Sequence, residues 1–333
     1  MAPSGAGAVS GDLVTVKDLR VLFRTGERTV HAVNGVDFSL GQGEVLGLLG
    51  ESGSGKSVTL RALLRLLPPK RTTIGGQISV AGHDVTGMDE AAARDYRGGV
   101  VSMIFQEPML AFDPVFTVGD QIAEAVMRHE KVGRADGLKR ALEMLERVRI
   151  PSAKRRLEAY PHEMSGGMRQ RAMIALALAC KPKLLLADEP TTALDATVQI
   201  QILLLLRELQ REMGMGVIFV THDMGVAVEV SDRIAVMYAG RIVESGAVRD
   251  VIRNPSHPYT RGLLSSTVHG SMRGKRLEAI PGAPPNLATA PVDCAFSPRC
   301  KWAADECRAG VPALAPVAAG HVAACARLPV VAA

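Results

Sequence analysis

With 333 residues and an apolar fraction of 47%, the chain is long enough for one large domain plus an appendage and can bury a real core. Its formal charge of +5 is small for that length and its bases are scattered among acids, so nothing in it points to nucleic acid. Apolar runs such as Ile200 to Leu206 fall far short of the roughly 18 to 20 residues that span a bilayer, so any work at a membrane is done from its side.

Residues 1–11 are small and carry no base, which lacks the positive start of a secretory signal; they are expected to form a disordered tail on a cytoplasmic chain. Short β-rich runs at Leu13 to Val16, Arg20 to Phe23 and Val36 to Leu40, broken at Gly26 and Gly35, predict a small antiparallel sheet. Glu44 to Leu49 predicts a buried strand that runs through a Gly-rich turn into a helix from Lys56 to Leu67, stopped by Pro68 and Pro69. Residues 100–105 predict another buried strand. Apolar residues at helical spacing across 117–149, including Leu138, Leu142, Leu145 and Val148, predict a helical insertion. A helix (Gly167 to Ala179), a strand (Lys183 to Ala187), a helix (Thr197 to Met213), a strand (Val217 to Val220) and a strand pair (Arg233 to Val243) follow. Such alternation implies an α/β fold with a mostly parallel sheet flanked by helices. After Pro255 proline becomes frequent, which places a domain boundary near 255, and no internal repeat is visible.

Gly50, Glu51, Ser52, Gly53, Ser54, Gly55, Lys56 and Ser57 fill the eight-residue pattern of a phosphate-binding loop, with Val58 in the helix that follows. Glycines let backbone N–H groups turn toward phosphate oxygens, and the helix adds its positive end. In such a loop Lys56 reaches the β and γ phosphates and the Ser57 hydroxyl ligates Mg²⁺. The apolar run Leu184 to Ala187 ends in Asp188 and Glu189, which delivers two carboxylates to a sheet edge. Asp188 suits the metal and Glu189 suits a general base that polarises the attacking water.

Ser165, Gly166, Gly167, Met168, Arg169 and Gln170 precede a predicted helix and stand about twenty residues before the acidic strand end. This segment resembles the signature loop of ABC ATPases. A Ser hydroxyl and Gly N–H groups at a helix N-terminus make a second anion site, and in the family it closes over the nucleotide held by a partner subunit. The resemblance covers about residues 12–250. It implies that Phe23 stacks on adenine, that Gln106 contacts Mg²⁺ and links the site to the insertion, that Asp195 touches the partner, and that His222 contacts the γ-phosphate. The catalytic set is then Glu189, His222 and Gln106, with Mg²⁺ held by Ser57, Gln106 and Asp188. Met164 and Met168 depart from the commonest Leu-Ser-Gly-Gly-Gln form of the signature, but the Ser and both Gly remain; the stretch Pro161 to Gln170 resembles the variant of peptide-importer ATPases.

Asn254 to Thr260, Ile280 to Leu287 and Phe296 to Cys300 resemble the C-terminal extension of oligopeptide and dipeptide importer ATPases. The expected domains are therefore a tail at 1–11, an ABC ATPase domain at 12–255 with a helical subdomain at about 107–170, and a small Pro- and Cys-rich extension at 256–333. Cys294, Cys300, Cys307 and Cys325 crowd that extension, with five, six and seventeen residues between them. In a reducing compartment such a cluster points to metal rather than disulfides, with zinc, iron–sulfur and free thiols all open. The paired spacing usual for zinc is missing, and the extension's resemblance implies a 4Fe-4S centre. The resemblance further implies ATP-driven pairing with a second, related ATPase, two integral-membrane permease subunits and an extracytoplasmic peptide-binding protein, no nucleic acid, and a peripheral place on the cytoplasmic face of the plasma membrane. A soluble ABC ATPase of DNA repair or translation is the alternative; such proteins usually carry a long coiled-coil insertion or tandem cassettes, and neither is visible.

Overall fold

The computed structural model describes residues 11–266 and 279–328, apart from Glu27 and Ala193. The expected N-terminal tail, save Gly11, lies outside the described residues. The β-branched runs pair as the sequence predicts: β1 (Val14–Thr25) and β2 (Arg28–Leu40) are antiparallel. Strand β3 (Val45–Leu49) leads through the Gly-rich loop into α1 (Lys56–Leu63). That helix stops earlier than the prolines require, because Leu64 caps it and Arg65 takes a left-handed φ of 55°. Then come β4 (Thr72–Val80), β5 (His83–Asp84), α2 (Glu90–Gly99) and β6 (Val101–Ile104).

The insertion is helical as expected, with α3 (Val118–Glu130), α4 (Arg134–Arg147) and the single turn α5 (Ala153–Arg156). Thr117 starts α3 by accepting from the Asp120 N–H at 3.2 Å, and left-handed Lys131 ends it. Beyond lie α6 (Gly166–Leu178), β7 (Leu184–Asp188), α7 (Ala196–Met213), β8 (Gly216–Thr221), α8 (Met224–Val230), β9 (Arg233–Tyr238) and β10 (Arg241–Ala247). The chain continues through α9 (Val248–Arg253) and α10 (Pro258–Ser265) to the short strands β11 (Ala315–Ala318) and β12 (His321–Ala323).

Two sheets result. The smaller is antiparallel, in the order β2-β1-β4-β5, and the larger runs β11-β12-β10-β9-β3-β8-β7-β6. Strands β3, β6, β7 and β8 are buried at every residue and pair in parallel with their neighbours among β9, β3, β8, β7 and β6. Burial on both faces is why these segments read as unbroken apolar runs. One face is closed by an apolar core of α3, α4, α6 and α7 residues such as Ile122, Leu145, Ile174 and Leu205. The other is closed by Leu60 and Leu63 of α1 and by the antiparallel sheet. Because β6, β7, β8 and β3 are parallel neighbours, their carboxyl ends and the loops that follow share one edge, where ligands of open α/β sheets sit.

The segment after residue 255 adds strands to the main sheet. Strand β12 pairs antiparallel with β10 (Glu244↔Ala323, Ser245↔Val322). Tyr259 of α10 and Phe296 join Tyr238 and Val243 in an apolar cluster. His257, the cap of α10, accepts from the Tyr259 N–H at 3.1 Å through Nδ1, while its own N–H donates to Glu244 at 2.9 Å. Burial pushes its imidazole down to about 3 from 6.5, so between those values the unfolded chain holds one more proton than the folded one. Stability is therefore expected to fall as pH drops below 6.5, by about 2 kcal/mol between pH 7 and pH 5 from this group alone. His257→Asn keeps an acceptor at the cap and removes the titration, so urea unfolding at the two pH values should show a loss smaller by that amount. An equal loss in both proteins would mean the imidazole is hydrated.

Candidate nucleotide site

The phosphate loop is shaped by close backbone approaches. Gly50 has φ 150°, and a Cβ there would stand 2.2 Å from the Met237 carbonyl oxygen; at Gly55, φ 106°, it would stand 2.6 Å from that of Ala32. Only glycine fits either place. Lys56, at the first turn of α1, is buried, and its ammonium donates to the carbonyls of Gly50 at 2.7 Å and Glu51 at 3.0 Å. Burial lowers its pKa, while Glu189, Asp188 and Glu51 oppose that shift. A cation held among three anions and a curled loop is a ready counter-charge for a polyphosphate.

The carboxyl end of β7 lies beside this loop. Ser57 Oγ donates to Asp188 Oδ1 at 2.9 Å. Burial raises the Asp188 pKa, and the Ser57 hydrogen bond partly offsets it. A buried carboxylate touching a hydroxyl supplies hard oxygen donors, which fits Mg²⁺ completed by phosphate and water. Glu189 follows with a left-handed φ of 45°, its N–H donating to the Val220 carbonyl at 3.1 Å. This turns its carboxylate toward the ends of β6 and β8. Glu189 Oε2 accepts from Thr192 Oγ1 at 3.0 Å and Gln106 Nε2 at 3.5 Å, and His222 Nδ1 lies 3.2 Å away. Residues read from three separate segments thus converge on one oxygen. Thr192 is the member that sequence reasoning missed; its place three residues after Glu189 is the only signal.

Other expected residues stand elsewhere. Ser165 caps α6, its Oγ accepting from the Met168 N–H at 3.4 Å, and with Gly166 it is exposed. Gly167 and Met168 are half-buried, whereas Gln170 is buried with its amide nitrogen unpaired among the described residues, so it faces the chain's own interior. Asp195 caps α7 by accepting from the Val198 N–H at 3.0 Å; Ala193, beside it in the expected contact loop, lies outside the described residues. Phe23, half-buried on β1, and Val58 on α1 both pack on the core beneath the antiparallel sheet. Glu51 contributes its carbonyl to Lys56, but its carboxylate is taken by Arg299 of the extension, at 2.7 and 3.0 Å.

The four clustered cysteines share one neighbourhood: the Cys294 N–H donates to the Cys307 carbonyl at 3.1 Å. Burial raises the thiol pKa of Cys294, Cys300 and Cys325, and neighbouring cysteines push the same way. All are free thiols, and among the described residues no three His, Cys, Asp or Glu side chains converge to hold a metal ion. The expected 4Fe-4S centre therefore has no support in the geometry. The spacing and the resemblance bring the thiols to one region, where Cys294, Cys300 and Cys325 are each acted on by two others of the four.

Comparisons with known proteins agree with the nucleotide geometry. The ABC transporter family pattern matches residues 33–192, and that of the oligopeptide/dipeptide transporter C-terminal region matches residues 243–307. A putative peptide import ATP-binding protein of Brucella melitensis is 51% identical, over 95% of this chain and 97% of its own. The oligopeptide transport ATP-binding protein OppD of Escherichia coli is 47% identical, over 94% and 92%. Among solved structures, an ATP-binding cassette captured as a dimer after hydrolysis, with ADP and Pi, superposes with a TM-score of 0.64 at 29% identity, covering 71% of this chain and 99% of that one. Identity of this extent, together with both family matches, means that the chain belongs to the ABC transporter ATP-binding family, in the branch that carries the oligopeptide/dipeptide transporter C-terminal region.

Proposed function

We propose that this chain is the ATP-hydrolysing subunit of a peptide importer, with residues 12–255 as the ATPase and 256–333 as an extension docked on it. The observation that carries the reading is the convergence of Gln106, Thr192 and His222 on Glu189 Oε2, beside the Ser57–Asp188 pair and the Lys56 loop. Lys56 and the loop N–H groups bind the phosphates. Ser57, Asp188 and Gln106 would hold Mg²⁺, which would supply charge neutralisation at the phosphates. Glu189 draws the proton of the attacking water, and Gln106 and His222 orient it.

Ser165 and Gly166 stand exposed and Gly167 half-buried at the start of α6, where they can close on a nucleotide held by a second ATPase. A similar cassette solved as a dimer supports that arrangement. Closure and reopening of the pair would drive two permease subunits at the cytoplasmic face of the membrane, fed by an extracytoplasmic binding protein. Among the described residues no helix is long and apolar enough to cross a membrane. The test is affinity purification of the Glu189→Gln form from detergent-solubilised native membranes with MgATP. Two multi-span proteins and a related ATPase should co-purify; recovery of only ribosomal or nucleic-acid-associated chains would overturn the transport reading.

A further inference from the structure

The phosphate-loop pattern leaves its second position open, and here that position is an acid. Glu51 is one of three anions acting on Lys56, with Asp188 and Glu189. Asp188 and Glu189 have work to do with metal and water. A free carboxylate at Glu51 would only repel a polyphosphate arriving in the same loop. The chain answers it from 248 residues away. Arg299 forks onto both carboxylate oxygens, Nη1 to Oε2 at 2.7 Å and Nη2 to Oε1 at 3.0 Å, with its own side chain only 5% exposed. The guanidinium is fixed in turn: Nε donates to the Pro281 carbonyl at 2.8 Å, and the Tyr238 and Phe296 rings pack beside it. Glu51 is held from a second side, because its backbone N–H donates to the Tyr259 hydroxyl at 2.7 Å. Both anchors, Tyr259 and Arg299, follow residue 255.

We propose that Arg299 is a positioning residue of the ATP site: from the extension it neutralises and immobilises Glu51, so that the phosphate loop reaches full affinity for nucleotide only when the extension is docked. This rests on the ATPase reading of the loop and adds to it a residue outside every ATP-binding motif. Removal of the arginine leaves an uncompensated carboxylate facing the triphosphate, whereas removal of both partners leaves none. A purely structural arginine predicts the opposite order, with the double variant no better than the single one.

The test is MgATP affinity by calorimetric titration of the full chain and of Arg299→Gln, Glu51→Gln and the double variant, with the unliganded melting temperature of each recorded. Arg299→Gln is expected to weaken MgATP by about tenfold, and the added Glu51→Gln to restore most of that loss. Should Arg299→Gln fail to fold, Arg299→Lys, which keeps the charge but not the fork, takes its place with a smaller loss and the same rescue. Equal affinity in wild type and the arginine variants, or a double variant as weak as the single, overturns the proposal while the ATPase reading stands. A wild-type chain that binds MgATP no better than Lys56→Ala overturns that reading itself.

Discussion

Glu189→Gln is expected to cut ATP turnover by about 10²- to 10⁴-fold while MgATP binding survives. The carboxamide keeps the size of the side chain and can still meet Thr192 and Gln106, which lie 3.0 and 3.5 Å from Oε2. It cannot take a proton from water. The groups proposed to bind phosphate, Lys56 and the loop backbone, do not depend on that oxygen for position, since Lys56 is held by the carbonyls of Gly50 and Glu51. Phosphate release and nucleotide titration on the same preparation check both halves. Turnover within fivefold of wild type would move the base elsewhere. Retained turnover with lost binding would make Glu189 a part of the binding surface.

The second large effect lies away from the nucleotide. Glu244 is fully buried on β10. Its Oε1 accepts from the Ser256 N–H at 2.7 Å and meets His321 Nε2 at 2.7 Å, and its Oε2 accepts from the His257 N–H at 2.9 Å. One carboxylate therefore ties the start of α10 and the strand β12 to the core sheet. Glu244→Ala leaves two backbone donors and a buried imidazole without partners and should cost about 3 to 5 kcal/mol in chemical denaturation. Glu244→Gln, which keeps one acceptor oxygen, should cost less. A loss below about 1 kcal/mol for the alanine variant would mean that water reaches these groups.

The sequence made the nucleotide site legible because its chemistry is local. Gly50 to Ser57 is one continuous loop, Asp188 and Glu189 end one strand, and parallel pairing of β3, β8, β7 and β6 gathers the strand ends without further information. The extension was legible only by resemblance. Strands β11 and β12 are four and three residues long and too short for a periodic signal. Glu244 in an apolar strand reads as a solvent-facing charge, because its partners at Ser256, His257 and His321 arrive through tertiary packing. Arg299 was hidden for the same reason. Thr192 required the left-handed turn at Glu189, which brings a side chain three residues on back to the carboxylate. The 4Fe-4S expectation has no support among the described residues, where no three His, Cys, Asp or Glu side chains form a group that could hold a metal ion.

The bond between Glu244 and His321 also sets an order in time. The two residues are 77 positions apart, and a chain growing from a ribosome places the acid in its sheet well before the histidine exists. Domains built at about 5 to 20 residues per second fold from the amino end as they emerge, so for several seconds β10 waits with an open edge, its Glu244 held only by the N–H groups of Ser256 and His257. Among the described residues the sheet is completed only by its last two strands, β11 and β12. A copy that lacks β12 keeps Glu244 without its bond to His321 and β10 without its outer partner, and its sheet is therefore less stable than that of the full chain.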